Sequence, residues 1–439
     1  MILDKILSLS IPEEIALWIV IVACVLWITE LVPLFVTSLI LLFAELVFLL
    51  PSLQGSRPEI RAEYFLAPFF SDTVLLFLGG FVLSDAFHKF GLDRKLAHLI
   101  LRKNTQSLPR LLLALISTSA FLSMWMNNTA TCSLMIGISI PFLEGLPRES
   151  NWRKAILLGI PFGANIGGMG TPVGTLPNAI AVEYLNQSNS APSFLQWLEF
   201  SLPLLILLVL VVWLVLWRTW GKNEESLDLE ESEQSLRISM LSREGFVAAV
   251  GIFTILGWLS SEWHQLSNGT IALIPVLGFF GFKILDTKDF RNLSWDVLIL
   301  MGGGISLGRA IEASGLAKTL LTGLPIEGAG VYFLVVLFSA LTILLSSIMS
   351  NTSTANLMIP LVLGLGIRES AGLVLVVALA ASVAMPLPVS TPPNAIAFGF
   401  GQLKSKDMIR SGLVITLTGF LILITLGYWI MKWVQVGNL

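Results

Sequence analysis

Long apolar runs, separated by short polar intervals, make up most of the chain. Stretches near the roughly 20 residues that cross a bilayer fall at 15–31, 34–50, 69–88, 156–183, 200–217, 245–262, 269–284, 294–311, 372–399 and 411–431. Two further stretches, 109–143 and 329–366, behave differently. As one straight helix, 109–143 would be about 52 Å long, too long for one span and short for two. Each fits a hairpin that enters and leaves on one side, with Asn127-Asn128-Thr129 at the first tip and Ser350-Asn351-Thr352 at the second. Some forty residues after each tip come GTLPNAIA (174–181) and STPPNAIAFG (390–399). Proline removes a donor and disfavours helix before it, so these segments predict helices unwound within the membrane. The pattern predicts an all-α polytopic membrane protein with about ten transmembrane helices, two re-entrant helical hairpins and unwound helices at the midplane.

The pattern also repeats. DTVLLFLGG from Asp72 matches WDVLILMGGG, in which Asp296, Gly303 and Gly304 lie 224 residues after Asp72, Gly79 and Gly80. Asn128 and Asn351 are 223 apart. The expected organisation is a first repeat over 1–221, an acidic linker over 222–243 and a second repeat over 244–439, with the second copy inverted.

Composition sharpens this reading. Only 13% of residues are charged, against about 25% in soluble domains. A net charge of −3 points away from nucleic acid, and Cys24 and Cys132 both fall in predicted membrane helices. Placing 89–110, 147–154, 218–243, 283–291 and 404–410 in the cytoplasm puts 19 of the 26 basic residues there, as the positive-inside rule requires. Arg57, Arg61 and Lys318 then lie outside, with Arg309 near a helix end. Asp85 and Arg309 are repeat-equivalent and are expected to snorkel or form a structural ion pair; Glu30 ends its helix, and Glu45 lies deeper.

The tips carry the candidate chemistry. A hairpin turn leaves carbonyls unpaired on its first arm and N–H groups unpaired on its second. The N–H end suits a carboxylate or sulfate oxygen. The carbonyls, joined by Ser and Asn side-chain oxygens, suit a hard cation such as Na⁺. Gly167, Gly168, Gly170 and Gly174 let backbone come close.

With these tips, both Thr-Pro-type unwound segments and WITELVPLFVTSL near the start, nearly the whole chain resembles the divalent anion:sodium symporter family of dicarboxylate, citrate and sulfate transporters. The resemblance implies a homodimer, elevator-type movement of a transport domain past a scaffold, and two Na⁺ sites flanking one anion site. The first cation site would use Ser123, Asn127, Asn128 and carbonyls near Gly170 and Gly174. The second would use Ser346, Ser350, Asn351 and carbonyls near Met349 and Ser390. Thr129, Thr352, Thr175, Thr391 and Pro392 would face the anion with Asn127, Asn128, Ser350 and Asn351. Asn127 stands where the family usually has serine. The family often has one more N-terminal helix than the residues before Trp27 leave room for.

The expected function is sodium-coupled symport of a small dianion, a C4-dicarboxylate first, in the plasma membrane. Sulfate symport or sodium-independent exchange is the alternative. No basic residue lies in either tip or unwound segment to replace Na⁺, and no nucleophile, base or metal constellation marks an enzyme.

Overall fold

The computed structural model describes residues 9–101, 107–187, 190–221, 242–321, 330–364 and 370–436, and no strand occurs among them. The acidic linker expected at 222–243 lies almost wholly outside the described residues. The first half begins with α1 (Ile11–Thr29) and α2 (Leu34–Ala44). The chain then passes through a short helix, Ala62–Leu66, and a 3-10 turn, Ala67–Phe70, into α3 (Asp72–Lys89). An amphipathic α4 (Leu92–Leu101) leads to α5 (Leu108–Ser123) and α6 (Asn128–Glu144), the first hairpin. Then come α7 (Asn151–Gly168), α8 (Leu176–Gln187) and α9 (Phe194–Trp220).

The second half has the same order. It runs α10 (Arg243–Leu259), α11 (Asn268–Gly281) and α12 (Trp295–Ser314), then the hairpin α13 (Val331–Ile348) and α14 (Asn351–Gly364). It ends with α15 (Ser370–Val383), α16 (Pro392–Gly399) and α17 (Ser405–Val436). Among the described residues seven helical stretches are long and apolar enough to cross a membrane. The two expected spans that contain the proline motifs, 156–183 and 372–399, are each broken in two, as α7/α8 and α15/α16.

Local sequence sets these ends. Ser10 and Glu13 form a capping box at the start of α1, and Glu30 closes that helix in the left-handed region at φ 49°. Pro33 then begins α2. The apolar pattern did not predict that α2 continues through a π-helical turn, Glu45–Leu49. Arg309 and Asp85 form no ion pair within the described residues. Arg309 instead donates to the Tyr64 carbonyl at 2.7 Å and lies over the Tyr64 ring.

Two apolar cores meet at α12. Leu298, Met301 and Ile305 belong to a large core shared with both hairpins and both broken helices. Leu300, Leu307 and Ile311, on another stripe of the same helix, belong to a smaller core with Ala16, Trp27, Leu41 and Phe65. The repeated glycines explain how neighbours come close enough. A Cβ on Gly79 would meet the Ala272 backbone, and one on Gly303 would meet Ser38. On the same side of α7, Gly163 faces Ile116 and Gly167 faces the Ala120 backbone, so α7 seats directly on the first hairpin arm.

This packing makes a prediction. Gly167→Ala forces a methyl into the Ala120 backbone and should lower stability by about 1–3 kcal/mol. Gly137→Ala on α6, where a Cβ meets nothing within 4 Å, should stay within about 0.5 kcal/mol. Thermal unfolding of the two variants in one detergent compares them, with equal melting temperatures contradicting the close-packed arm.

Candidate functional site

Each hairpin turns where its second arm begins. Asn127 is the N-cap of α6: its Oδ1 accepts the Thr129 N–H at 2.8 Å. Ser350 does the same for α14, accepting the Ser353 N–H at 3.1 Å. The two residue types thus do one local job, which accounts for the exchange of serine for asparagine. Behind each cap lies a matched pair. Ser123 Oγ donates to Asn128 Oδ1 at 2.6 Å, and Ser346 Oγ donates to Asn351 Oδ1 at 2.7 Å. The Ser346 hydroxyl also lies 2.6 Å from the Ala381 carbonyl.

Both broken helices are held at their breaks by an asparagine that the sequence reading quoted without assigning it a role. Asn178 Nδ2 donates to the carbonyls of Gly168 and Thr171 at 3.0 and 2.8 Å. Asn394 Nδ2 lies 3.3, 3.1 and 3.2 Å from the Met385 carbonyl, the Leu387 carbonyl and Ser390 Oγ. An unwound backbone in an apolar interior needs such partners. Other freed carbonyls are also taken: Met169 by Trp197 Nε1 at 3.1 Å, Gly170 by Ser201 Oγ at 2.8 Å, and Met124 by Thr171. Asn165 joins the halves, donating to Thr391 Oγ1 at 3.0 Å and Asn394 Oδ1 at 3.1 Å.

These parts enclose a cavity of 380 Å³. Asn127, Asn128, Thr129, Thr175, Ser350, Asn351, Thr352, Thr391 and Pro392 all line it, as do Gly174 and Ser390. Ser123, Gly170, Ser346 and Met349 do not line it; Ser123 and Ser346 are buried behind the wall, and Met349 joins the smaller core. The opposite wall is Pro33, Leu34 and Phe35, from the WITELVPLFVTSL motif, with Phe77, Phe81, Val297 and Leu300. The sequence reading missed that wall and Asn165, since nothing in an apolar pattern shows which aromatic faces a cavity. It also missed Asp296, the one charged residue in the lining among the described residues. Its repeat partner Asp72 is occupied elsewhere, accepting from Ser267 Oγ and from the Gly269 N–H at the start of α11.

Electrostatically the cavity is a meeting of helix starts. The N-termini of α6, α8, α14 and α16 all reach it, and each carries partial positive charge. They are not equivalent. Pro392 and Pro393 have no N–H and the Asn394 N–H is bonded to Thr391 Oγ1, so α16 offers its dipole rather than donors. The hairpin arms keep first-turn N–H groups beyond the one each cap takes. For a cation, the fit rests on the Ser–Asn pairs beside the unwound carbonyls. Asn165 Oδ1 and Asn178 Oδ1 are also buried acceptors with no donor among the described residues.

The citrate transporter family matches residues 24–371 and 328–437. The chain belongs to the citrate transporter family. A sodium-dependent dicarboxylate transporter, SdcS, of Staphylococcus saprophyticus is 31% identical over 96% of this chain and 85% of its own length. The inorganic phosphate transporter PHO87 of Saccharomyces cerevisiae is 31% identical over 94% of this chain and 46% of its own length. The YdaH transporter of Alcanivorax borkumensis, of unusual topology, aligns with TM-score 0.56 and 16% identity over 95% of this chain and 98% of that one, a likeness of fold. The chain is therefore a multi-pass integral membrane transporter.

The asparagine staples yield a second prediction. Asn178→Ala and Asn394→Ala each strand carbonyls in a dry interior, at about 1–3 kcal/mol per buried unpaired group. Asn394→Ala should be the worse, because Asn165 also loses an acceptor. Melting temperatures of purified variants in matched lipid check the order; no loss in either would mean the breaks do not depend on them.

Proposed function

We propose that this transporter is a sodium-coupled symporter of small dianions, C4-dicarboxylates first, working by elevator-type alternating access as a homodimer of two-repeat chains. The observation that carries the reading is the pair of hairpin-arm N-termini on one cavity, with no lysine or arginine in its lining among the described residues. Two separated carboxylates of one substrate match two separated donor sets. Thr129 and Thr352 stand beside them as neutral hydroxyl donors, and Thr175 and Thr391 extend the set from the broken helices. The sodium dependence of the SdcS relative supports coupling. In this reading Na⁺ enters each Ser–Asn pair, the serine hydroxyl turns away from the amide oxygen, and both oxygens face the ion. The two cations then offset the substrate charge that no side chain offsets.

Asp296, Val297 and Leu300 place the cavity beside the start of α12, the end that basic-residue counting assigns to the cytoplasm. The state described here is accordingly read as open inward. Asp296 at that mouth would disfavour rebinding of a released anion.

The PHO87 relative favours one competing cargo, inorganic phosphate. Uptake of labelled succinate into proteoliposomes, with and without an inward Na⁺ gradient, tests the proposal. Competition by malate, citrate, sulfate and phosphate ranks the cargo. Gradient-stimulated uptake inhibited first by malate is the expected outcome. Equal rates with counterflow intact identify an exchanger, and stronger inhibition by phosphate replaces the substrate class.

The cap geometry adds a prediction. Asn127→Ser should keep both folding and the Na⁺ activation curve, since Ser350 already caps the twin arm. Asn127→Ala should lose about 0.5–2 kcal/mol of local stability and require more Na⁺ for half-maximal uptake. Activation curves on monodisperse protein decide: an unshifted curve for Asn127→Ala leaves Asn127 a cap alone.

A further inference from the structure

We propose that a second cavity, at the far end of the helices that build the central site, is a cationic antechamber that gathers small dianions for that site. The proposal rests on the reading of the central cavity as a dianion site. The second cavity has a volume of 840 Å³; the charged residues that line it among the described residues are Arg57, Arg309, Lys318 and Glu312. Arg309 is half-buried; one of its nitrogens is on the Tyr64 carbonyl and no carboxylate lies within salt-bridge distance among the described residues. With Glu312 three residues further along α12 in the same lining, Arg57 and Lys318 supply the positive excess among the described residues.

The two cavities share their walls. On α12, Val297 and Leu300 line the first, and Gly308, Arg309 and Ile311 line the second. Twelve residues from Val297 to Arg309 correspond to about 18 Å along a helix. On α14, Thr352 lines the first cavity, and Pro360 and Leu363 the second; on α8 the corresponding residues are Leu176 and Tyr184. Between them the seam is closed by two side chains seated on glycines: Asn356 lies over Gly304 and the Tyr184 hydroxyl over Gly308. Asn356 is fully buried, and neither amide atom has a partner among the described residues. The Asn356 contact between α12 and α14 thus carries no hydrogen bond to hold it, whereas the Tyr184 hydroxyl lies 3.2 and 3.3 Å from the Gly304 and Ile305 carbonyls of α12.

The charge distribution gives the antechamber its use. Among the described residues the central cavity holds no basic residue and carries Asp296 at its own mouth, so these attract a dianion only at short range, through helix ends. Long-range attraction needs full charges, and a cleft lined by one sign of charge raises the local concentration of the opposite ion. Among the described residues the first mouth carries Asp296, and the second carries Arg57, Lys318 and Arg309 against Glu312. Basic-residue counting assigns the Arg309 mouth to the outside. An anion is drawn in at the positive mouth and released past the negative one.

The test has two arms. Ala371, in the wall of the second cavity, is replaced by cysteine in a Cys24→Ser background, with buried Cys132 kept. Its reaction rates with an anionic (sulfonatoethyl) and a cationic (trimethylammonioethyl) methanethiosulfonate are each divided by the rate with free mercaptoethanol. The anionic reagent should lead by about tenfold at low ionic strength, and Arg57→Gln with Lys318→Gln should bring the ratio close to one. A ratio near one in the parent overturns the proposal. In the second arm, Arg57→Gln with Lys318→Gln should raise the KM for succinate uptake about fivefold at low salt, with rates converging at saturating succinate and the difference vanishing at high salt. An unchanged KM also overturns it. Arg309 is spared because its bond to Tyr64 ties it to folding. Should the parent carry no succinate, the symport reading fails by itself, and the reagent ratio still decides the antechamber.

Discussion

Hydrocarbon pairs with no backbone group, yet four helices of this protein begin inside its apolar interior. Each start leaves N–H groups that nothing in lipid satisfies. Everything distinctive about the site follows from how those groups are answered. At two starts, α8 and α16, prolines remove N–H groups, and asparagine side chains take the carbonyls left open at the breaks. The other two, α6 and α14, are capped at one N–H each and keep the rest for the cavity. The same economy explains the absence of basic residues there. A lysine or arginine would hold an anion too well for release, and its desolvation would have to be offset in both loaded and empty states. Helix dipoles avoid that cost, and under the proposed symport co-bound cations would too, since they would leave with the cargo.

The close packing of α12 serves the same arrangement. Its stripe of glycines lets one helix face two cores at once, with Ser38 on one side and Asn356 and Tyr184 on the other. Small residues on one helix that receive the side chains of its neighbours are how membrane helices approach closely in general. The cores on either side are continuous within themselves, so motion at the seam need not disturb them.

Much of this was legible in the sequence, for identifiable reasons. Apolar length set the spans, and the two overlong stretches with polar centres fixed both hairpins to within a few residues of α5/α6 and α13/α14. Proline following glycine or serine fixed the breaks after α7 and α15. The family resemblance named side chains that do line one cavity, from Thr129 to Thr391. What escaped was whatever depends on a partner distant in sequence. Asn165 is one polar residue in an apolar helix, and only the fold puts it on Thr391. Asp72 and Asp296 are indistinguishable in the repeat, yet one caps α11 and the other faces the cavity. Carbonyls near Gly170 were expected at a cation site; the Gly170 oxygen also accepts from Ser201, a residue with no motif around it. The π-helical turn beside buried Glu45 likewise had no signal in hydropathy.

The central claim is that a dianion is held between two hairpin-arm N-termini by backbone and hydroxyl donors, without a basic side chain. A cryo-EM map of the protein in nanodiscs with Na⁺ and saturating succinate tests it most directly. The account predicts one carboxylate within hydrogen-bonding distance of the Asn128–Thr129 start of α6 and the other at the Asn351–Thr352 start of α14. A map with succinate bound away from both starts, or held at the central site by a lysine or arginine, would contradict it.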